Sequence, residues 1–402
     1  MQKKKFIVVL VNNSISELDW ILPVLNSLKS NYFIFIYFKN YKIFSSLKSN
    51  DVLSKLLNKT TKFFFIENFY DLFFYKVLKK TLNFMNLNIF PIDFFERKIH
   101  DLNRLKDLIK KKTNINNIEI DFIFSDYGIN SGWVKIITKY NNTRPKIVHY
   151  PHSPQSFYSK KKIVTKYKLY GDILLVGREK DKSFFSNFIS IKKIHSCGIP
   201  KYDLSWKNKI LKNSEFDFDY NKIKKFNLIT FAYVSKFENF NNKFNELSKQ
   251  LEDVMKVFEK IENKLVIFKV HPRKNSKKFL KILEKFDKRK WILSKTHLTK
   301  LSSVSSSVLC HPNSAAGLDA LSQNIPSIQL WPVEGVESGN DIQKKLGFIK
   351  SAKNMNMLKK LILLSIKKPN HKIWMDQRKN FRKEFPYLNK YINISKNVVI
   401  NK

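Results

Sequence analysis

Short continuous apolar runs alternate along this chain with stretches whose apolar positions recur every three or four residues. Phe6 to Val11 is such a run, Asn12-Asn13-Ser14 breaks it, Glu17 to Lys29 carries helical spacing, and Tyr32 to Phe38 supplies a second run. The alternation continues through Phe63 to Ile66, a helical stretch from Ile99 to Lys112, and short runs at Phe122-Ile123-Phe124, Lys146 to His149, Asp172 to Val176 and Lys193 to Cys197. Strands that alternate with helices in this way form a parallel sheet covered on both faces. After Pro200 the pattern dips into a Lys/Asn/Asp-rich stretch, and residues 205–225 are expected as a linker. A second alternation follows, with strands at Leu228 to Val234, Leu265 to Val270, Trp291 to Leu293, Val308-Leu309 and Ser327 to Leu330. The expected fold is therefore α/β, with two Rossmann-like domains at 1–204 and 226–370 and helices over 371–402.

Chemistry is placed by what ends the strands. Leu309 to Leu330 reads as strand, polar turn, helix and strand; His311-Pro312-Asn313-Ser314 is the turn, and Asn313 or Ser314 is the natural N-cap. Helix starts that follow strands in such domains expose backbone N–H groups where a phosphate can be held, although a cap also stabilises its helix with no ligand at all. The strand Lys264 to Val270 ends in His271-Pro272-Arg273-Lys274, with Lys269 just before the edge. Pro272 stops the strand and leaves His271 at the carboxyl edge, where open α/β sheets bind ligands. A third cue is the turn Cys197-Gly198-Ile199-Pro200-Lys201-Tyr202-Asp203.

In order and spacing these segments resemble the CDP-glycerol glycerophosphotransferases and related capsule polysaccharide glycosyltransferases of the GT-B class. Gly198, Pro200, Lys201 and Asp203 match that family's Gly-x-Pro turn. Lys269, His271 and Pro272 match its Lys-x-His-Pro strand end, and Ser314, Asp319 and Pro326 its third motif. The chain departs from the pattern at Ser314-Ala315, where the family has paired serines, and at His311-Pro312, where it has Thr-Asp. Its His-Gly-x-Pro element is matched loosely by His149-Tyr150-Pro151-His152. The resemblance implies two domains facing across a cleft, with helices from 371 packing back on the first. It also implies a cytoplasmic transferase that moves a glycosyl or glycerophosphoryl unit from a nucleotide-linked donor to a surface polysaccharide, a teichoic-acid-like polymer or a lipid-linked acceptor. His271, Arg273, Lys269, His311, Asn313, Ser314 and Asp319 would hold the donor and its phosphates.

General-base work on an acceptor hydroxyl points to the first domain. His149 and His152 lie at one strand end, and Asp126 closes another; a neutral imidazole near its ordinary pKa suits that task.

Composition trims the alternatives. The 402 residues exceed what one core usually supports, and 43% hydrophobic residues can build two. Lys+Arg 75 against Asp+Glu 33 gives +42, which fits phosphorylated substrates, an anionic membrane face or nucleic acid. No nucleic-acid-binding signature accompanies the charge, so a non-enzymatic nucleic-acid-binding protein is the weaker alternative, and part of the excess reads as compositional drift. With nine glycines there is no dinucleotide fingerprint and no P-loop, hence no bound cofactor is expected. The two cysteines make neither a zinc site nor a disulfide framework, and without an Asp-x-Asp pair no metal is expected. Phe69 to Phe95 is an aromatic, lysine-rich stretch that fits either an interfacial helix or a sheet cover, and no run is long enough to cross a bilayer, so any membrane contact is peripheral on the inner face. Within the same fold the second enzymatic alternative is a UDP-sugar 2-epimerase, which needs two catalytic carboxylates in the cleft.

Overall fold

The computed structural model describes residues 3–12, 14–48, 50–67, 100–127, 132–141, 143–151, 169–186, 191, 193–233, 244–270, 277–312, 314–333 and 342–400. The stretch from Phe69 to Phe95 lies outside them.

Apolar continuity decides the centre of each sheet. In β1 (Lys4–Val11) every residue from Phe6 onward is buried, as a parallel strand covered on both faces requires. With β2 (Phe33–Phe38), β3 (Phe63–Ile66), β4 (Ile118–Asp126), β5 (Lys146–Tyr150), β6 (Ile173–Val176) and β7 (Lys193–Ser196) it forms a seven-stranded parallel sheet of order β3-β2-β1-β4-β5-β6-β7. Register follows the apolar faces: Phe6 pairs with Phe33 and Val11 with Phe38, while Asp126 lies opposite Tyr150. The second sheet contains β8 (Asn227–Tyr233), β9 (Lys264–Val270), β10 (Trp291–Ser294), β11 (Ser307–Cys310), β12 (Ser327–Gln329) and β13 (Lys350–Ser351), in the order β10-β9-β8-β11-β12-β13. All its pairings are parallel. In both sheets the first strand sits inside and the order reverses beside it, so each has a switch point, between β1 and β4 and between β8 and β11.

The chain divides into one unit of residues 1–203 with 389–402 and another of 204–388. Residues 205–225, expected as a linker, lie within the second unit. The helix Leu204–Asn213 buries Trp206 and Ile210, and the buried Lys207 ammonium donates to the carbonyl of Ser322. Phe216 stacks on Tyr220 and packs at a tilt against Phe218, and the three cover Leu228, Leu265 and Ile267. Apart from Lys207, most of the lysines and asparagines that gave this stretch its polar look are exposed, and the few aromatics fix its place. The C-terminal helices also part company: Lys372–Glu384 belongs to the second unit, and Tyr391–Ile400 packs against the helix Ser16–Leu28 of the first.

The Gly-x-Pro turn explains that last contact. Gly198 has φ +74°, a conformation glycine takes without penalty, and an added Cβ would lie 2.0 Å from the Tyr391 ring. Pro200 opens a short 3-10 turn, Asp203 accepts from the backbone N–H of Ile392 at 3.2 Å, and Lys201 pairs with Asp19 at 3.4 Å. Burial pushes the Cys197 thiol up to about 12, so it stays protonated beneath this helix.

Candidate functional site

At the switch point of the second sheet, β8 ends on Tyr233 and β11 on Cys310, both buried. His311 follows directly; its ring packs 5.7 Å from Phe231 and 5.2 Å from Tyr233, whose own ring lies 4.5 Å from Phe279. Ser314 caps the helix Ala315–Leu321, accepting from the Ala316 N–H at 3.3 Å, while its carbonyl accepts from Gln343 at 3.1 Å. That helix lies close to the sheet because Gly317 has no side chain: a Cβ there would come within 2.8 Å of Ser327 Oγ and 2.4 Å of Ile349. Asp319 is half-buried one turn into the helix. Asn324 ends the segment with φ +63°, and the Pro326 carbonyl accepts from Val308.

The structure therefore brings His311, Ser314 and Asp319 together on one strand-turn-helix step. Lys269 stands on β9, with β8 between it and that step, and leans the other way, donating to the Lys295 carbonyl at 2.5 Å on the β10 side. Burial brings its pKa down to about 8, with Asp217 opposing the shift. Asp217 itself is pushed up by burial but held below the ordinary range by Ser294, Thr296 and the Lys295 N–H. His271, Arg273 and Asn313 lie outside the described residues.

At the corresponding edge of the first sheet several of the described polar side chains are buried and bonded to the backbone. Glu17, in the first turn after β1, is buried and accepts from the backbone N–H groups of Asn12 at 3.0 Å and Ser14 at 2.9 Å. Asp126 is buried at the end of β4. His149 is buried within β5, and its Nε2 donates to the Tyr170 carbonyl at 2.6 Å. Burial lowers its pKa, against the pull of that bond, so the ring is neutral. Gly171 lets the imidazole lie close, since a Cβ there would be 2.7 Å from its Cδ2. Tyr150 stacks on Trp20 at 5.6 Å, and its hydroxyl meets no hydrogen-bond partner among the described residues. Burial, with Glu17 and Asp126 nearby, raises that hydroxyl's pKa well above the tyrosine range. His152 lies outside the described residues.

Sequence reasoning missed Glu17, Tyr150, Tyr233 and Gln343. Tyr233 lay within the apolar run Leu228 to Val234, and the structure makes it the last residue of that strand. Nothing local marks Gln343, which reaches Ser314 across 29 positions. Among the described residues no three His, Cys, Asp or Glu side chains gather as metal ligands, and no helix is long and apolar enough to cross a membrane.

No protein-family model and no curated protein sequence matches the chain. Solved structures do resemble it. A putative UDP-N-acetylglucosamine 2-epimerase from Listeria monocytogenes matches with TM-score 0.60 and 12% identity over 97% of this chain and 94% of that one. The UDP-GlcNAc 2-epimerase of Methanocaldococcus jannaschii, in complex with UDP-GlcNAc and UDP, matches with TM-score 0.56 and 16% identity over 93% and 98%. Phytolacca americana UGT2, complexed with UDP-2fluoro-glucose and pterostilbene, matches with TM-score 0.58 and 10% identity over 98% of both chains. At such identities the likeness is one of fold: two Rossmann-like domains of the GT-B type.

Proposed function

We propose that the protein is a GT-B enzyme acting on a nucleotide-activated donor, and that its reaction is transfer of a glycosyl or glycerophosphoryl unit to an acceptor hydroxyl. The fold alone leaves many activities open. Both epimerases and sugar transferases stand among the structures it resembles. The observation that favours transfer is the state of the two carboxylates described at the ends of β1 and β4. Epimerisation requires two that reach the sugar, whereas Glu17 and Asp126 are both wholly buried and the Glu17 oxygens already serve the backbone of the loop after β1.

In this reading the second unit holds the nucleotide. The Ser314 hydroxyl at the helix start, with Asn313, His271 and Arg273, is the proposed set of phosphate contacts, and the His311 carbonyl fixes the turn by accepting from the Ser314 N–H. Leaving-group charge is offset by such preorganised donors and by the chain's cations, without a divalent ion. His152 is assigned as the base for the acceptor, because the other two candidates, Asp126 and His149, are wholly buried at the ends of β4 and β5. A surface polysaccharide, teichoic-acid-like polymer or lipid-linked chain is the proposed acceptor class, on the motif resemblance around Lys269, His271 and Ser314. The cytoplasm is the compartment where such donors are available.

A thermal-shift screen with UDP-, CDP-, GDP- and ADP-linked sugars and CDP-glycerol tests the donor, because a ligand of the native state raises the melting temperature. Incubating the best ligand with and without acceptors, followed by NMR, then separates the reactions. Nucleotide release that requires acceptor supports transfer; inversion at the sugar C2 without transfer would replace it by epimerisation. Activity that disappears with a chelator and returns with magnesium would overturn metal-free catalysis.

A further inference from the structure

The helix Met355–Lys367 covers the second sheet with Leu358, Leu361 and Ile362, all buried in its core. Its other side bears an open groove of about 410 Å³, lined by Lys359, Lys360, Leu363, Leu364, Lys367 and Lys368. Spacings of three and four residues put these side chains on one face. Lys360, Lys367 and Lys368 are exposed, and Leu363 and Leu364 are half-exposed between them.

Charge here is more one-sided than in the chain as a whole. From Ile342 to Met375 there are nine lysines and no aspartate or glutamate. The helix Phe244–Glu259 packs alongside, but Glu252 there pairs with Lys285 at 2.6 Å and Asp253 with Lys256 at 3.8 Å.

We propose that this face docks on an anionic lipid surface. The ammonium groups meet phosphodiester headgroups, lysine stems lie along the groove, and Leu363 and Leu364 enter the boundary between headgroups and acyl chains. Leu363 and Leu364 rest partly on the core of the second sheet and still leave apolar surface between the lysines, which a lipid surface covers and a soluble polyanion, bound by the charges alone, does not. The contact is peripheral and independent of the donor reading above.

The test is co-sedimentation of the full chain with vesicles of phosphatidylcholine alone or of phosphatidylcholine and phosphatidylglycerol at about two to one, since each basic residue at an anionic bilayer is worth roughly fivefold in affinity. Binding is expected only with phosphatidylglycerol. The double variant Lys360→Glu/Lys367→Glu should weaken it at least about tenfold. Lys110→Glu/Lys111→Glu, at exposed positions of the helix Leu102–Thr113, makes the same change in net charge and should cost under about threefold. Leu363→Ser should weaken vesicle binding while leaving retention on heparin unchanged. Circular dichroism establishes that each variant is folded; should Leu363→Ser unfold, the exposed lysine pair decides the matter by losing vesicle binding by a larger factor than heparin binding. Equal losses in the two lysine variants would assign binding to the field of the whole chain and overturn the proposal. Undiminished binding in Lys360→Glu/Lys367→Glu, or losses on heparin as large as on vesicles, would overturn it too.

Discussion

The carboxyl edges of the two sheets share a strand order and differ in what their polar side chains do. At the first edge Glu17 holds the loop after β1, His149 holds the Tyr170 carbonyl, and Asp203 in the neighbouring turn caps the C-terminal helix. These groups are spent on the fold itself. At the second edge Ser314 caps a short helix at a half-exposed position, Asp319 is half-buried, and His311 is packed by aromatic faces. Identical topology thus gives one edge made rigid by buried hydrogen bonds and one whose cap remains within reach of a ligand. A histidine or carboxylate at a strand end is a functional candidate only after its bonds to the backbone are known.

The largest effect expected from this contrast is at Glu17. Glu17→Ala leaves two buried backbone donors unsatisfied, each costing about 1–3 kcal/mol, so a loss of about 4 kcal/mol should appear in denaturant unfolding. A loss below about 1 kcal/mol would erase the distinction between the edges. Next comes Gly198→Ala, which forces a left-handed backbone on alanine and drives its methyl into Tyr391; about 3 kcal/mol and faster proteolysis near the C-terminus are expected. Ser314→Ala, on the open edge, should cost only about 1 kcal/mol as a lost N-cap. If the donor assignment holds, it also weakens nucleotide binding in calorimetry by more than that stability loss explains.

The smallest effect concerns pH. Burial holds His149 below its ordinary value of 6.5 in the folded state. The unfolded chain therefore binds the extra proton first, and stability that is complete above that value falls as the pH drops below it. His149→Gln keeps a donor for the Tyr170 carbonyl and should flatten the stability profile below about pH 6.5. An unchanged slope would place the responsible group elsewhere.

Periodicity alone located every strand of the first sheet and all but one of the second, because parallel strands covered on both faces must be apolar throughout, as in Phe6 to Val11 and Leu265 to Phe268. It missed β13, whose two residues Lys350 and Ser351 pair with Ile328 and Gln329 and carry no apolar run. It also misread residues 205–225, where Trp206, Ile210 and Phe216 decide the packing though lysine and asparagine dominate the composition. The turn at Ser314 and the ends of β4, β5 and β9 were legible as places, since strand ends are marked by breaks in the same pattern. The direction in which each side chain points from such a place was not.

That division has a physical cause. The sequence by itself determined the α/β class, the number of sheets and the residues at their edges, because these follow from which neighbouring positions must leave water. Only tertiary structure decided that Lys269 turns toward Lys295, that His149 is neutral and donates to Tyr170, that Gly198 makes room for Tyr391, and that Gln343 meets Ser314. Those facts depend on partners tens to nearly two hundred positions away, and a hydrogen bond or a desolvated imidazole is defined by the groups around it in space and not by its neighbours in the chain.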